Sequence, residues 1–459
     1  MAVEMPIAGE YIRSNDAAAV RLRGDRRDEG RGLRTTMRAL NVLVTTSYYW
    51  PEAAGSGPLL TNVAEYLGAA GHEVVVVTGF GHYPDWRSSA EGRFSATERH
   101  AGVTVRRRWH YVPRSQSAAH RALYELSLFG FGLTAFPTRW RPDVVLGTCP
   151  SLAGGAHAAV ASRVYGVPYG IVFQDLMGLA AEQSGVAGGG RVAGFVRRAE
   201  RALARRAARV GIIAEGFRRY LEAGGVAPER IDRLRNCTRR VEPAESPAET
   251  RRRLGWSSDE FVALHGGNMG HKQGLDNLLD TAALLRGSGV RVILVGDGND
   301  RSRLERRTRE LALTNLNFVE LQPPGRWEEV MQAADVLLVN QRASVTDMSL
   351  PSKLTSYFAA GRPVVAAASE ESETAREITS ARAGLIVPPA DPATFSRAIL
   401  MLKDDPVRAG ELAASGKGYA ETVLSPATVL GEYESFLYAL LESDRRRQAR
   451  SGSRVSAAA

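Results

Sequence analysis

The chain has 459 residues, of which 44% are hydrophobic and 24% charged, so it can form two or three globular domains. Its net charge of +9, mostly from arginine, permits a nucleic acid, an anionic membrane surface or a phosphorylated ligand as partner. The two cysteines, Cys149 and Cys237, provide neither a disulfide framework nor a metal-binding spacing, which indicates a reducing compartment. No apolar run reaches the roughly 18 residues that a membrane span needs.

Both ends of the chain lack the composition of a packed core. Residues 1–38 are rich in Arg, Asp, Gly and Ala, and residues 443–459 are basic and rich in Ser and Ala. Segments of this kind bury too little apolar surface to offset the entropy of folding, so both are predicted to be disordered. The first segment also lacks the apolar stretch of a secretory signal.

The first folded segment is predicted to contain a strand, a glycine-rich turn, a helix and a second strand, at 40–46, 55–57, 58–70 and 73–78. This order is the opening unit of a doubly wound parallel sheet. The turn contains Gly55, Ser56 and Gly57, but no acidic residue ends the second strand, as a nicotinamide-binding fingerprint requires. We therefore predict that these glycines let the backbone approach a different ligand.

Two later strands, 143–147 and 169–173, are followed by polar residues. Ligands of open α/β sheets bind beyond the carboxyl ends of the strands, which predicts that Thr148, Gln174 and Asp175 line a binding site. The Asp175 carboxylate could accept a hydroxyl proton or hold a sugar hydroxyl, but it could equally cap the next segment.

Two other helical segments carry many arginines. Residues 120–137 are apolar on more than one face and flanked by arginine, which fits either a core helix or a patch that lies in a membrane interface. Residues 191–209 form an arginine-studded helix, whose charged side is typical of a solvated face.

The second half repeats the α/β pattern after a linker at 238–246. A strand at 261–265 is followed by a glycine-rich loop and by a helix at 275–285. Such a loop can cradle an anion, and Lys272 within it can pair with a phosphate. The Walker pattern is absent, so the loop is not that of a P-loop ATPase. Glu320 lies near the end of a later strand, 316–321.

The segment 347–366 starts in a loop that contains Asp347 and Ser349 and ends in a buried strand. Ser352 is a suitable N-cap for a helix that ends near Gly361, and Lys353 occupies its first turn. A lysine at this end opposes the helix dipole, which predicts an anion such as a diphosphate beside it. The alternative is an ordinary surface lysine on an α/β crossover.

The predicted fold class is therefore α/β, with two Rossmann-like doubly wound domains that face a cleft. The first domain is predicted at 39–240 and the second at 241–424. A last helix, 425–442, is expected to cross back to the first domain.

Several motifs together resemble one known family. They are Tyr-Trp-Pro-Glu-Ala-Ala-Gly-Ser-Gly, Gly-Gly-Asn-Met-Gly-His-Lys-Gln-Gly-Leu, Val-Gly-Asp-Gly and Leu-Pro-Ser-Lys-Leu-Thr-Ser-Tyr-Phe-Ala-Ala-Gly-Arg-Pro-Val-Val-Ala. The chain from about residue 40 to residue 441 resembles the retaining GT-B glycosyltransferases of the family-4 type. It is similar to the subgroup that builds colanic acid, O-antigen and capsule.

The resemblance implies a nucleoside-diphosphate-sugar donor, UDP- or GDP-linked, in the second domain and a glycan or polyprenyl-linked acceptor in the first. The implied catalytic residues are Lys272, Lys353 and Asp175. The implied donor-binding residues are Gly266, Gly267, Asn268, Gly270, Glu320, Asp347, Ser349 and Ser352. The implied acceptor-side residues are Gly55, Ser56, Gly57, Thr148 and Gln174. No metal and no cofactor besides the donor is expected.

The chain departs from the family pattern at two places. The family holds the diphosphate with an arginine and a lysine, but only Lys272 is matched, since the arginine position falls near Asn268. The family also carries two glutamates eight positions apart, and the second position here is Ser356. The Pro-Ser-Lys pattern stands in their place, which makes Lys353 a candidate substitute charge.

The expected location is the cytoplasm, with possible contact to the anionic inner face of the plasma membrane, and no nucleic-acid partner. Two alternatives remain at this stage. A nucleotide-sugar 2-epimerase of the same bilobal fold would need no acceptor. A basic nucleic-acid-binding protein would fit the net charge, although no recognition motif is present.

Overall fold

The computed structural model describes residues 38–52, 55–83, 86–114, 117–178, 189–238, 243–270, 273–323, 325–343 and 353–456. These residues form two compact units. Unit 1 contains the described residues up to Ile213, Phe217–Leu234 and the residues from Leu430 onward, and unit 2 contains Ala214–Gly216 and Arg235–Val429.

The elements up to residue 233 belong almost entirely to unit 1. Its strands are β1 Asn41–Thr45, β2 Glu73–Gly79, β3 Ser95–His100, β4 Val103–Arg108, β5 Val144–Cys149, β6 Tyr169–Phe173, β7 Arg209–Ile212 and β8 Ile231–Arg233. The helices are α1 Gly57–Ala69, α2 Ala118–Leu133, α3 Leu152–Tyr165, α4 Gly189–Arg206 and α5 Gly216–Ala223.

The described strands of unit 1 form one sheet in the order β3-β4-β2-β1-β5-β6-β7-β8. All neighbours are parallel except β3, which pairs antiparallel with β4 at the edge. The central strands β1, β2 and β5 are continuous apolar runs because helices cover both faces of a parallel sheet. Their carboxyl ends, at Thr45, Gly79 and Cys149, lie at one edge of the sheet.

Unit 2 has a smaller sheet. Its elements are α6 Pro247–Leu254, β9 Phe261–Gly266, α7 Asp276–Leu284, β10 Val290–Val295, α8 Arg301–Glu310, β11 Leu316–Val319, α9 Arg326–Ala333, β12 Val336–Asn340, α10 Lys353–Ala359, β13 Val364–Ala367, α11 Glu373–Ala381, β14 Gly384–Val387, α12 Pro392–Asp404 and α13 Pro406–Thr422. The described strands are all parallel, in the order β11-β10-β9-β12-β13-β14. The predicted pair of doubly wound sheets is confirmed.

The last helix, α14, runs from Pro426 to Ser456 and from Leu430 onward belongs to unit 1. Its Glu434 accepts a hydrogen bond from the Tyr66 hydroxyl at 3.1 Å and lies 3.2 Å from Nε2 of His72. The Phe436 ring packs against Gly170 of β6, where a Cβ atom would lie only 2.5 Å from it. These contacts fix the first half of α14 on unit 1.

The prediction of disorder over 443–459 is wrong for most of that segment, because α14 continues to Ser456. The stretch from Asp444 to Arg450 consists of Asp, Arg, Gln and Ala, and Arg, Gln and Ala are strong helix formers. A helix that is already nucleated by packing can extend through such residues without further tertiary contacts. Residues 1–37 and 457–459 lie outside the described part of the chain.

Candidate active site

The glycine-rich loop after β9 packs tightly against the turn after β10. The Gly267 N–H donates to the Val295 carbonyl at 2.9 Å, and the Met269 N–H donates to the Asp297 carbonyl at 2.8 Å. A Cβ atom on Gly296 would lie 2.1 Å from the Gly267 oxygen. Gly267 itself has φ +111°, a conformation that favours glycine. The loop is therefore held in one shape by backbone contacts with its neighbour.

The start of this loop is also closed to side chains. A Cβ atom on Gly266 would lie 2.0 Å from the Trp327 ring, and the Gly266 N–H donates to the Tyr357 hydroxyl at 2.9 Å. Asn268 is exposed, and its side chain lies beside Gly270, where a Cβ atom would be 3.1 Å from Nδ2. The structure thus brings together the four predicted donor-binding residues Gly266, Gly267, Asn268 and Gly270.

Lys353, the first residue of α10, lies beside the loop. Its Nζ is 3.8 Å from the Cβ position of Gly267 and 3.5 Å from Nε2 of His265, the penultimate residue of β9. Burial lowers the pKa of Lys353 to about 8. Among the described residues no carboxylate lies within ion-pair distance of this ammonium group, so an anionic partner for it would have to be a ligand or lie elsewhere in the chain.

The far end of the loop is anchored by asparagines that sequence reasoning missed. Asn340, at the end of β12, donates from Nδ2 to the carbonyls of Gln273 and Gly274, at 2.6 and 3.0 Å. Its Oδ1 accepts from Nδ2 of Asn277 at 2.7 Å. Only the polar end of an apolar strand, Val-Leu-Leu-Val-Asn, could have signalled this role.

The remaining predicted donor-side residues divide into two groups. Lys272, Asp347, Ser349 and Ser352 lie outside the described residues, as does the predicted start of the helix at Ser352. Glu320 is described, and its carboxylate forms a two-point ion pair with Arg301, at 3.0 and 2.6 Å. Arg301 also donates to the Gly296 carbonyl at 2.8 Å, so this carboxylate is held beside the β10 turn by a protein partner.

The structure places the residues that were predicted to bind an acceptor at the carboxyl ends of β5 and β6 and before α1. Thr148 is a buried residue of β5 itself rather than of the loop that was predicted. Gln174 follows β6, and its Nε2 donates to the Tyr433 hydroxyl of α14 at 3.4 Å. Asp175, next in the chain, is half-buried.

The turn Gly55-Ser56-Gly57 leads directly into α1. Gly55 has φ +66°, and Gly57 is the first residue of the helix. Ser56 occupies the N-cap position but makes no side-chain capping hydrogen bond. Its hydroxyl therefore does not satisfy the amides of the first turn.

A buried carboxylate in unit 1, Glu52, was not predicted. Its Oε1 accepts from the backbone N–H groups of His82 and Tyr83, at 2.8 and 2.9 Å, and its Oε2 accepts from that of Tyr49 at 3.1 Å. Glu52 thus joins the loop after β1 to the loop after β2. Burial raises the pKa of this carboxyl despite these bonds.

Two buried histidines and a tyrosine lie next to Glu52. The ring centroids of His82 and His110 are 4.8 Å apart, and Tyr124 lies 5.3 and 5.5 Å from them. Burial lowers the pKa of His82 to about 4 and that of His110 to about 3, so both rings are neutral near pH 7. Within the described part of the chain, neither ring nitrogen of His110 has a hydrogen-bond partner.

Comparison with known proteins shows the family to which the chain belongs. Residues 54–237 match the model of the glycosyl transferase 4-like domain, and residues 247–421 match that of the glycosyl transferases group 1. The putative colanic acid biosynthesis glycosyl transferase WcaI of Escherichia coli K12 is 30% identical over 348 residues, which cover 73% of this chain and 84% of that protein. A GDP-mannose-dependent alpha-mannosyltransferase of Mycobacterium tuberculosis is 30% identical over 59% of this chain and 66% of its own length.

A solved structure supports the fold. Anabaena HepE in complex with UDP-glucose superposes with a TM-score of 0.62 at 17% identity, covering 87% of this chain and all of that one. With two doubly wound units, a glycine loop beside a lysine, and WcaI matched over most of its length, the chain belongs to the GT-B glycosyltransferases of the family-4 type.

Proposed function

We propose that this glycosyltransferase is a retaining, metal-independent enzyme that uses a UDP- or GDP-linked sugar. The acceptor is a hydroxyl of a glycan or lipid-linked glycan in surface polysaccharide biosynthesis. The observation that carries the proposal is the Lys353 ammonium, which lies 3.8 Å from the Cβ position of Gly267 without a carboxylate partner among the described residues. A half-buried cation of this kind is a suitable partner for a pyrophosphate.

The chemistry requires stabilisation of the leaving nucleoside diphosphate. As the bond between the anomeric carbon and the phosphate oxygen breaks, negative charge grows on that oxygen. A fixed donor in a site that excludes water typically lowers such a barrier by about 3–4 kcal/mol. Lys353, the backbone of 266–270 and Lys272 are the groups we assign to this role, with Glu320, Asp347, Ser349 and Ser352 nearer the rest of the donor.

The donor and pathway are inferred from the relatives. One relative is named for GDP-mannose, and the HepE structure contains UDP-glucose, so both nucleotides are retained in the proposal. WcaI is named for colanic acid biosynthesis, which favours a surface polysaccharide as product. Asp175, Thr148 and Gln174, with the turn at Gly55–Gly57, are proposed to bind the acceptor, and Asp175 to hold its reacting hydroxyl.

We further propose that unit 1 contacts an anionic membrane surface in the cytoplasm. An aromatic patch is formed by Phe94, Trp109 and Phe131, whose ring centroids lie 5.1–5.9 Å apart, and Phe94 is 60% exposed. Arg106 and Arg108 lie on the neighbouring strand β4, and neither pairs with a carboxylate within the described ranges. Aromatic rings at the headgroup level and arginines at the lipid phosphates are the usual composition of such a contact.

The transfer reaction is tested with purified protein and a panel of UDP- and GDP-sugars. A donor should raise the melting temperature, and with a glycan acceptor it should yield a product of retained anomeric configuration by NMR, with or without EDTA.

Lys353→Met and Lys272→Ala should each lower transfer at least about tenfold, because each removes a phosphate partner. The exposed Lys417→Met is the matched control. Full activity of the Lys353 variant would contradict the assigned role, and donor epimerisation without acceptor would indicate an epimerase.

A further inference from the structure

His265 is a polar residue in the core of unit 2. It is the penultimate residue of β9 and is 0% exposed, whereas the preceding residues of this strand are apolar. A buried imidazole costs free energy unless its nitrogens are hydrogen-bonded. Both nitrogens have a partner here, because Nδ1 lies 3.0 Å from the Leu338 carbonyl and Nε2 lies 3.5 Å from Nζ of Lys353.

These two partners define the tautomer of the ring. A carbonyl oxygen only accepts hydrogen bonds, so Nδ1 carries the proton and donates it to Leu338. Nε2 then presents its lone pair to the Lys353 ammonium, which only donates. The arrangement is chemically matched at both ends without any charge on the imidazole, and burial lowers the pKa of His265 well below its usual range.

The Leu338 carbonyl connects this pair to the loop. It lies 3.4 Å from the Tyr357 hydroxyl, which in turn accepts from the Gly266 N–H. Leu338 of β12, His265 of β9 and Tyr357 of α10 are therefore mutually fixed. Lys353 makes its hydrogen bond to His265 at a point beside Gly267. There its Nζ and Cε atoms lie 3.8 and 3.9 Å from the position that a Cβ atom on Gly267 would take.

We propose that His265 is a positioning residue, which accepts a hydrogen bond from Lys353 and so holds the ammonium group beside Gly267 for the donor pyrophosphate. The inference rests on the proposed function, since it needs the pyrophosphate to bind at this loop. Without the imidazole, the four torsions of a lysine side chain are free, and fixing them on binding would cost entropy.

Two substitutions separate the nitrogens of the ring. His265→Gln places an amide near the position of Nε2 and can still accept from Lys353. His265→Asn places its amide near Nδ1, so it can still donate to Leu338 but does not reach Lys353. We expect kcat for sugar transfer to fall about tenfold in the Asn variant and less than about threefold in the Gln variant, because the lysine acts on the leaving phosphate.

A double-mutant cycle tests whether the effect passes through Lys353. In a Lys353→Met background, His265→Asn should cause little further loss of kcat, since the group that it positions is absent. Thr308→Val, which removes a buried hydroxyl that donates to the Leu304 carbonyl within α8, should show the same effect in both backgrounds. An equal effect of His265→Asn in both backgrounds would show a merely structural role and overturn the proposal.

The outcome for the wild-type protein separates this inference from the function on which it rests. If the wild type neither binds UDP or GDP nor transfers sugar, the proposed function fails. If it does both and the Asn variant keeps full kcat, only the positioning role fails.

If the Asn variant does not fold, ¹⁵N-histidine spectra of wild type and Lys353→Met test the positioning role instead. The Nε2 resonance of His265 should be that of an unprotonated acceptor and should shift on loss of the lysine, and an unchanged resonance overturns the proposal.

Discussion

The side-chain environment of Lys353 has a consequence for stability that needs no ligand. Its side chain is half-buried, its ammonium lies next to the neutral Nε2 atom of His265 and beside Gly267, and desolvation lowers its pKa to about 8. The unfolded chain keeps an ordinary lysine pKa of about 10.4. Between these two values the unfolded state binds more protons than the folded state, so the free energy of unfolding rises with pH.

Lys353→Met should remove this dependence. Relative to the variant, wild-type protein should gain about 1–3 kcal/mol of unfolding free energy between pH 7.5 and pH 10, as the folded-state lysine loses its proton first. Urea denaturation of both proteins across this range measures the difference, and Lys417→Met controls for loss of an exposed lysine. If the unfolding free energies of wild type and the Lys353 variant changed in parallel with pH, the ammonium would not be buried.

Glu52 gives a second prediction at the level of one side chain. Glu52→Ala leaves three N–H groups, the buried ones of Tyr49 and His82 and the partly buried one of Tyr83, without an acceptor, so it should lower the free energy of unfolding by about 2–4 kcal/mol. Glu52→Gln keeps one carbonyl oxygen as an acceptor, so it should lower the free energy of unfolding by less than Glu52→Ala does. Thermal and urea unfolding test this, with the exposed Glu73→Ala as control. A loss no larger than that of the control would show that water replaces the carboxylate.

Which side chains pair could not be predicted from the sequence. Glu320 was identified as a residue that faces a nucleotide, but its partner Arg301 is 19 positions away and meets it only because β10 and β11 are neighbours in the sheet. The Lys353–His265 contact, across 88 positions, has the same origin. Motifs indicated that Lys353 and the glycines belong to one site. The hydrogen-bond acceptors that orient these residues depend on strand register, which the motifs do not contain.

Among the elements, the strands with continuous apolar runs were the easiest to predict. The bounds of β6 match the predicted 169–173, and β9 is one residue longer than the predicted 261–265, because a strand buried on both faces must be apolar throughout. The edge strand β3, Ser-Ala-Thr-Glu-Arg-His, was missed because only one side of its ladder is paired and its side chains face water alternately. Two short helices, α6 and α11, were also missed.

Helix α2, for which the sequence allowed either a core helix or a membrane-interface patch, has one buried and one exposed apolar side. Its Tyr124 and Leu128 are buried against unit 1, as a core helix requires. On its other side, Leu123 and Leu126 are 49% and 67% exposed. Composition alone gives no rotational phase to a helix that is apolar on several faces, so only the packed structure distinguishes the buried side from the exposed one.

At the scale of the whole molecule, the net charge of +9 and the aromatic patch predict reversible attachment to anionic bilayers. No helix among the described residues is both long and apolar enough to cross a membrane. The protein should sediment with vesicles that contain anionic lipid, less with neutral vesicles, and less again at about 0.5 M salt, because salt screens the arginines.

Phe94→Ser should weaken this binding about tenfold, since burial of a phenylalanine side chain contributes about 1.5–3 kcal/mol. Leu321→Ser, at a similarly exposed apolar residue of unit 2, is the matched control. Trp109 emission should shift to shorter wavelength on binding. Equal losses for the two variants, or attachment that ignores lipid charge, would rule out the aromatic patch as the contact.

The close backbone contact between Gly267 and Gly296 limits how this enzyme can be re-engineered. A methyl group at position 296 would collide with the carbonyl of 267, and one at 266 would collide with the Trp327 ring, so libraries that randomise these positions would consist mostly of misfolded members. Asn268, whose side chain is exposed at the same loop, has no such restriction. If the loop binds the donor as proposed, directed evolution of sugar preference is best begun at Asn268, with the flanking glycines left as they are.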